Sequence, residues 1–333
     1  MKKATWIPLL IIIVGVCLAL AGFAYGGGIH GIRGIALDRS GIHISNTDRG
    51  GLVKVDESFT GVKDIVVDVA FLERVVLKEG DGFSVRGQNY EEYGGLTVQN
   101  DNGTLRVNAN REGRWQVIGP TDLRRGLNGA DTFVEITYPA NTELGSVRTN
   151  ISAGRLVIDG LLCSVLDVIN DFGDVDLTGV GSGVMTVNLS AGNAKIRNSE
   201  AERLRLSNDF GKTSLDNTTI NSLDINISSG DLSANNLNVG DLFVNADFGS
   251  ARFDRLMLGG RGEIKMSSGA VNISLNMSED DIFYELSASA GKVTVDEKSG
   301  AALGGMWSGG DRRSDVSLSV ESDFGAITLR FLK

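Results

Sequence analysis

The stretch DFGDVDLTGVGSGVMTVNLSAG, residues 171–192, opens on the triplet Asp171-Phe172-Gly173 and closes on Ser190-Ala191-Gly192. Val175 and Leu177 stand second and fourth after the first glycine, Gly179 stands sixth, and Met185 and Val187 stand seven and five places before the second glycine. Read outward in both directions, the frame persists. Turn glycines fall at Gly154, Gly173, Gly192, Gly211, Gly230 and Gly249, each 19 residues after the last, and Gly269, Gly291 and Gly325 continue the series with longer gaps. A fixed period of this kind marks a repeat architecture, in which no unit buries its apolar face without its neighbours.

Within each unit the apolar residues alternate. Leu166 and Val168, Leu204 and Leu206, Leu223 and Ile225, and Leu242 and Val244 precede their glycines as Met185 and Val187 do; Leu156 with Ile158 and Ala194 with Ile196 follow theirs. Period two predicts strands. Gly160, Gly179, Asn198, Asn217 and Asn236 occupy a second turn, and these residue types tolerate left-handed backbone. A third apolar pair, Leu161 with Cys163 or Leu237 with Val239, completes each circuit. The expected fold is all-β: a β-solenoid, or single-stranded β-helix, with about 19 residues per coil, right-handed by analogy with crossover connections.

The triplets alternate between Ser-x-Gly (Ser152, Ser190, Ser228) and Asp-Phe-Gly (Asp171, Asp209, Asp247, and again Asp323). Two places before the Phe or its small counterpart, the order is reversed in size: Ile151, Leu189 and Ile227 in the Ser coils, Asn170, Asn208 and Ala246 in the Phe coils. If strand alternation runs through the triplet, large and small residues trade places from rung to rung at one interior corner. Phe172, Phe210, Phe248 and Phe324 are therefore expected inside as core. The Asp and Ser are expected outside, capping turns, with carboxylates separated by a Ser rung to limit repulsion.

Before the repeats, residues 1–3 carry Lys2 and Lys3, and an uncharged apolar run covers residues 4–25. It is long enough to cross a bilayer as one transmembrane helix, with the lysines holding the N-terminus in the cytoplasm. A signal peptide cleaved near Ala19-Leu20-Ala21 is the alternative, which would secrete the rest. A lipoprotein reading of Cys17 is disfavoured by Val16 before it. Residues 26–61 are expected to be a stalk, 62–145 β-rich coils or a cap built of hairpins, and 146–333 the solenoid proper. Two longer excursions break the repeat, each combining arginine with a tryptophan: Arg111, Arg114, Trp115, Arg124 and Arg125 in the first, Trp307, Arg312 and Arg313 in the second. Long loops on a rigid scaffold are where partner binding is expected.

Composition narrows the function. The chain of 333 residues has 44 glycines and 3 prolines, as suits many short strands, and a net charge of −10 that argues against a nucleic-acid partner. Two cysteines exclude a disulfide framework, and Cys163 reads as a buried apolar residue. The only histidines, His30 and His43, lie in the expected stalk, away from any Ser-His-Asp or Cys-His constellation in the repeats. Asp-Phe-Gly occurs in kinases as a single magnesium ligand with companion motifs; here it recurs without them. Carboxylates two rungs apart do not converge on one calcium ion, and Asn100-Asp101-Asn102 reads as a hairpin tip. No catalytic group, cofactor or metal is expected.

The order of these features resembles a known family: an N-terminal anchor, an entry region around Gly80-Asp81-Gly82-Phe83 and Asn102-Gly103-Thr104-Leu105, the strand Val134-Glu135-Ile136-Thr137-Tyr138-Pro139, then Ser-x-Gly repeats. It is similar to the bacterial putative-adhesin domains of unknown function, over roughly Ile65 to Lys333. The resemblance implies an exported β-solenoid head with no catalytic residues to carry over; the Asp-Phe-Gly alternation and the Trp307 excursion are not attributed to it. The functional expectation is a non-enzymatic scaffold or adhesin-like module, anchored in the membrane and facing outward, that binds a cell-envelope protein or glycan. An accessory protein of envelope stress signalling is the alternative, and a polysaccharide-active β-helix enzyme is a weaker one.

Overall fold

The computed structural model describes residues 34–38, 41–45, 51–110, 115–117, 132–296, 298–299 and 305–333. The expected anchor and Arg111, Arg114, Arg124 and Arg125 lie outside the described residues. The chain divides into two units. In the smaller, Gly34–Asp38 pairs antiparallel with Gly41–Ser45 on one side and with Trp115–Val117 on the other, Trp115 opposite Leu37.

The larger unit is a stack of parallel coils. Val147 lies beside Leu166, Leu166 beside Met185, and Met185 beside Leu204, so each residue meets its counterpart 19 positions on. Glu200–Leu258 continues this ladder through three coils, turning at Gly211, Asn217, Gly230, Asn236 and Gly249. The inward columns are buried and mainly apolar: Leu166, Val168, Val175, Leu177, Cys163 and Val180 in one coil, with equivalents above and below, form one contiguous core. A single coil encloses too little apolar surface to stand alone, so stability grows by stacking.

Both turns follow from backbone geometry. Gly160 and Gly179 have φ of 74° and 64°, and Asn198, Asn217 and Asn236 continue the same left-handed turn at 49–53°. Asparagine tolerates that conformation, and here it also forms a ladder: Asn217 Nδ2 donates to Asn198 Oδ1 at 3.2 Å and Asn236 Nδ2 to Asn217 Oδ1 at 2.8 Å. At the other corner Gly173, Gly192 and Gly211 have φ between 141° and 145°. A Cβ on any of them would lie within 2.0 Å of the carbonyl oxygen of the corner glycine one coil before.

The corner overturns one expectation. Phe172, Phe210, Phe248 and Phe324 point out, 65, 63, 61 and 66% exposed. Between the buried Asn170 and the buried Val175, four successive residues face outward, and the same holds for residues 190–193 and 209–212. Strand alternation therefore stops at the corner instead of running through it. The interior column itself alternates in size as expected: Ile151, Asn170, Leu189 and Asn208 are all buried. The small polar members serve the corner, since Asn170 Nδ2 donates to Gly154 O at 3.0 Å and Asn208 Nδ2 to Gly192 O at 3.2 Å.

The two ends depart from chain order. At the first, Asp64–Gly80 forms the rung before Glu143–Asp159; beyond it, Thr104–Ala109 covers its first half and Phe133–Pro139 its second. Leu52–Phe59 pairs antiparallel with Phe83–Tyr90, so this body begins near residue 51 and not at the expected boundary after 61. At the other end the C-terminal strands Ser317–Phe324 and Ile327–Phe331 do not close the stack. They slot between Arg261–Leu275 and the coil made by Phe283–Ala290 and Val293–Val295. Gly305–Gly310, antiparallel to Phe283–Ala290, pairs with that outermost coil.

Candidate binding surface

Because the triplets face outward, three columns run side by side along the glycine corner. In spatial order the column before the glycine reads Phe71, Ala153, Phe172, Ala191, Phe210, Ser229, Phe248, Ser268, Phe324, Ala290. Phenylalanine alternates with a small residue at every step. Phe71 is half-buried, its ring 6.2 Å from that of Tyr93. The adjoining column reads Ser152, Asp171, Ser190, Asp209, Ser228, Asp247, Ser267, Asp323, Ser289 in the same order. Ser228 Oγ bonds Asp209 Oδ1 at 3.3 Å, while no side chain among the described residues bonds Asp171, Asp247 or Asp323.

On the far side of the glycines the carboxylates are spoken for. Asp174 Oδ1 accepts Asn193 N at 3.0 Å and Nδ2 at 2.8 Å, and Asp231 Oδ1 accepts Ser250 N at 3.1 Å as well as its hydroxyl. Asp176, buried, is clamped between Arg155 and Arg197. These bonds all bridge coils, so they serve the stack.

The second arginine-tryptophan excursion is part of the end of the stack. Trp307 lies opposite Leu286, packed against the core. Arg312 sits 5.7 Å over the ring of Phe283, and Arg313 pairs with Asp311 at 3.1 Å, which holds that carboxyl below its usual range. Tyr284 is buried at the same end and donates to Glu279 Oε1 at 2.6 Å; burial first and Glu279 second push its hydroxyl up. Of the first excursion, Trp115 pairs within the smaller unit and does not lie in the solenoid. Trp307, Arg312 and Arg313 thus serve the end of the stack, and the surface that recurs from coil to coil among the described residues is the phenylalanine corner.

Among the described residues, two further buried ionisable groups are shifted chiefly by their burial. Tyr138 donates to Asp159 O at 3.0 Å, and burial raises its pKa. Cys163, 4% exposed, is pushed up to about 11 by burial, against the lowering effect of Ser182 hydroxyl at 3.8 Å. A free thiol titrates near ~8.5, so the shift favours the folded state below that pH, and the advantage is lost as pH rises from there through about 11. Iodoacetamide at pH 8 is therefore expected to leave Cys163 unmodified in the folded protein and to modify it in urea, as peptide mapping would show. Rapid native labelling at pH 8 would contradict a buried, protonated thiol. Among the described residues no cluster of three or more His, Cys, Asp or Glu side chains is placed to hold a metal ion.

A parallel stack with a glycine corner, an asparagine turn and hairpin ends defines a β-solenoid. The chain belongs to the Toastrack DUF4097 family, whose profile matches residues 62–255. No curated protein matches the sequence. Among solved structures, a "putative adhesin" from Parabacteroides merdae overlaps with a TM-score of 0.40 and 11% identity, covering 85% of this chain and 97% of its own. A "putative adhesin" from Bacteroides fragilis gives 0.39 and 9%, again over 85% and 97%. A "putative lipid binding protein" from Parabacteroides distasonis gives 0.27 and 10% over 85% and 98%.

Proposed function

We propose that the protein is a non-enzymatic, adhesin-like binding module, anchored in the membrane by residues 4–25 and holding its solenoid outside the cytoplasm, where it meets a glycan or protein of the cell envelope. The observation that carries this reading is the outer corner, which offers the same exposed side chains at every second rung of the stack. A surface built by repetition suits an extended or repetitive ligand, whereas catalysis needs unlike groups converging on one point. The apolar run behind Lys2 and Lys3 supports the anchor.

The test uses the full-length chain with a C-terminal tag in intact bacterial cells. External protease is expected to remove the tag without lysis, and the cells are expected to adhere to at least one member of a panel of wall glycans and matrix proteins. A protected tag, or no adherence beyond that of cells lacking the protein, would defeat the proposal. Co-purification of a membrane protein without any adherence would favour a regulatory accessory instead.

A further inference from the structure

The phenylalanine corner has a pattern that the fold does not require. Rings on adjacent rungs, about 4.8 Å apart, would stack face to face and shield one another from water. Here each ring is two rungs from the next, roughly 9.6 Å away, with Ala or Ser on the floor between. Four large apolar side chains are thereby left more than half exposed in one line. Aligned exposure of that kind marks an interaction surface, whereas scattered apolar residues do not.

The inserted C-terminal strand shows that the pattern belongs to the surface and not merely to a tandem sequence. Along the chain the last triplets run Phe248, Ser268, Ala290, Phe324, which breaks the alternation. In space Phe324 sits between Ser268 and Ala290 and restores it. The aspartate column follows suit, Asp323 falling between Ser267 and Ser289.

Beside the rings, Asp171, Asp247 and Asp323 are exposed or half-exposed acceptors that no side chain among the described residues uses. Ionised carboxylates only accept hydrogen bonds, so the complementary ligand brings donors and no negative charge. In an antiparallel face-to-face pair of ladders set ring against ring, a second copy of this chain would place its aspartates opposite these ones, like charge on like. An anionic polymer meets the same repulsion. An uncharged sugar chain meets neither: its hydroxyls donate, its ring faces are apolar, and an extended β-linked glycan presents equivalent faces at every second sugar, a repeat close to two rungs.

We propose that Phe172, Phe210, Phe248 and Phe324, with Asp171, Asp209, Asp247 and Asp323 beside them, form a track for an uncharged, extended β-linked glycan, one ring under every second sugar. This deepens the binding-module reading and rests on it. The test is co-sedimentation of the purified full-length protein in detergent with insoluble cellulose and with chitin. Wild type is expected to bind at least one of them, and the triple variant Phe172→Ala, Phe210→Ala, Phe248→Ala to bind it at least about tenfold more weakly, a loss of some 1.4 kcal/mol. Since the rings stand in water, the variant is expected to melt within a few degrees of wild type. Phe210→Trp, which keeps a ring, is expected to retain binding and guards against a misfolded triple variant.

Binding to neither glycan, or equal binding by wild type and triple variant, would overturn the track. A wild-type dimer in sedimentation that the triple substitution dissociates, without glycan binding, would make the corner a self-interface and overturn it as well. Adherence of wild type to another ligand that the triple variant shares would sink the track while leaving the binding-module reading intact; no adherence to anything sinks both.

Discussion

Gly211→Ala is expected to destabilise the solenoid by about 3–5 kcal/mol, at the upper end of single substitutions. The added Cβ would lie 1.9 Å from Gly192 O, a backbone atom that cannot swing aside. The residue also holds φ at 141°, where an L side chain is strained whatever the space around it. Relief requires the corner to lift, and the corner is where Gly192 N donates to Phe210 O at 2.9 Å to join two rungs. Because coils are coupled mainly to their neighbours, the damage should spread by opening the stack at this rung. Urea unfolding with proteolysis would register it as a lower midpoint and new cleavage near residue 211. Gly82→Ala is the control: nothing lies within 4 Å of its Cβ, and a change under about 0.5 kcal/mol is expected. Equal midpoints for Gly211→Ala and Gly82→Ala would mean the corner is not packed as described.

The period, the strands and the inward columns were legible because a 19-residue repeat with period-two alternation leaves little freedom: shift Leu166 or Val168 by one place and every rung turns its core to water. The corner was not legible by the same rule. Alternation predicts that Phe172 shares the face of Asn170, and a rule about extended strands says nothing where the chain bends. Four outward residues fit the corner as well as alternation does, and only the packing of Asn170 against Gly154 O decides between them.

The inserted strand was hidden for a different reason. Gaps of 20, 22 and 34 residues between Gly249, Gly269, Gly291 and Gly325 fit a stack in either order. The one available signal was that Ser289-Ala290-Gly291 follows Ser267-Ser268-Gly269 without an Asp-Phe-Gly between them, and that Asp323-Phe324-Gly325 supplies the missing one. The arginine-tryptophan excursion near Trp307 was legible as a break in the repeat. Its use, pairing with the outermost coil, depends on a rung order that spacing does not reveal.

That rung order makes the last strands structural in a way their position in the chain conceals. Truncation after Asp315 would remove Leu318, Val320, Ile327 and Leu329, each no more than 1% exposed. At about 1.5–3 kcal/mol for burying one such side chain, the loss exceeds what a terminal fraying strand contributes. It would also strip both neighbours of one ladder each, leaving Arg261–Leu275 and residues 283–295 with unpaired edges prone to association. Direct docking of those two coils offers poor repair, since Gly262 is matched to Leu318, whose Cδ1 lies 2.8 Å from where a Cβ would be, and not to Tyr284. The truncated protein is therefore expected to exchange amide hydrogens rapidly over residues 261–310 and to aggregate, while residues 143–258 keep their protection. A synthetic peptide covering residues 315–333, added in trans, is expected to restore slow exchange to both flanking coils. If truncation instead left exchange over 283–295 unchanged, the C-terminal strand would have to lie outside the stack, and the alternation of Phe248, Ser268, Phe324 and Ala290 along the corner would lose its meaning.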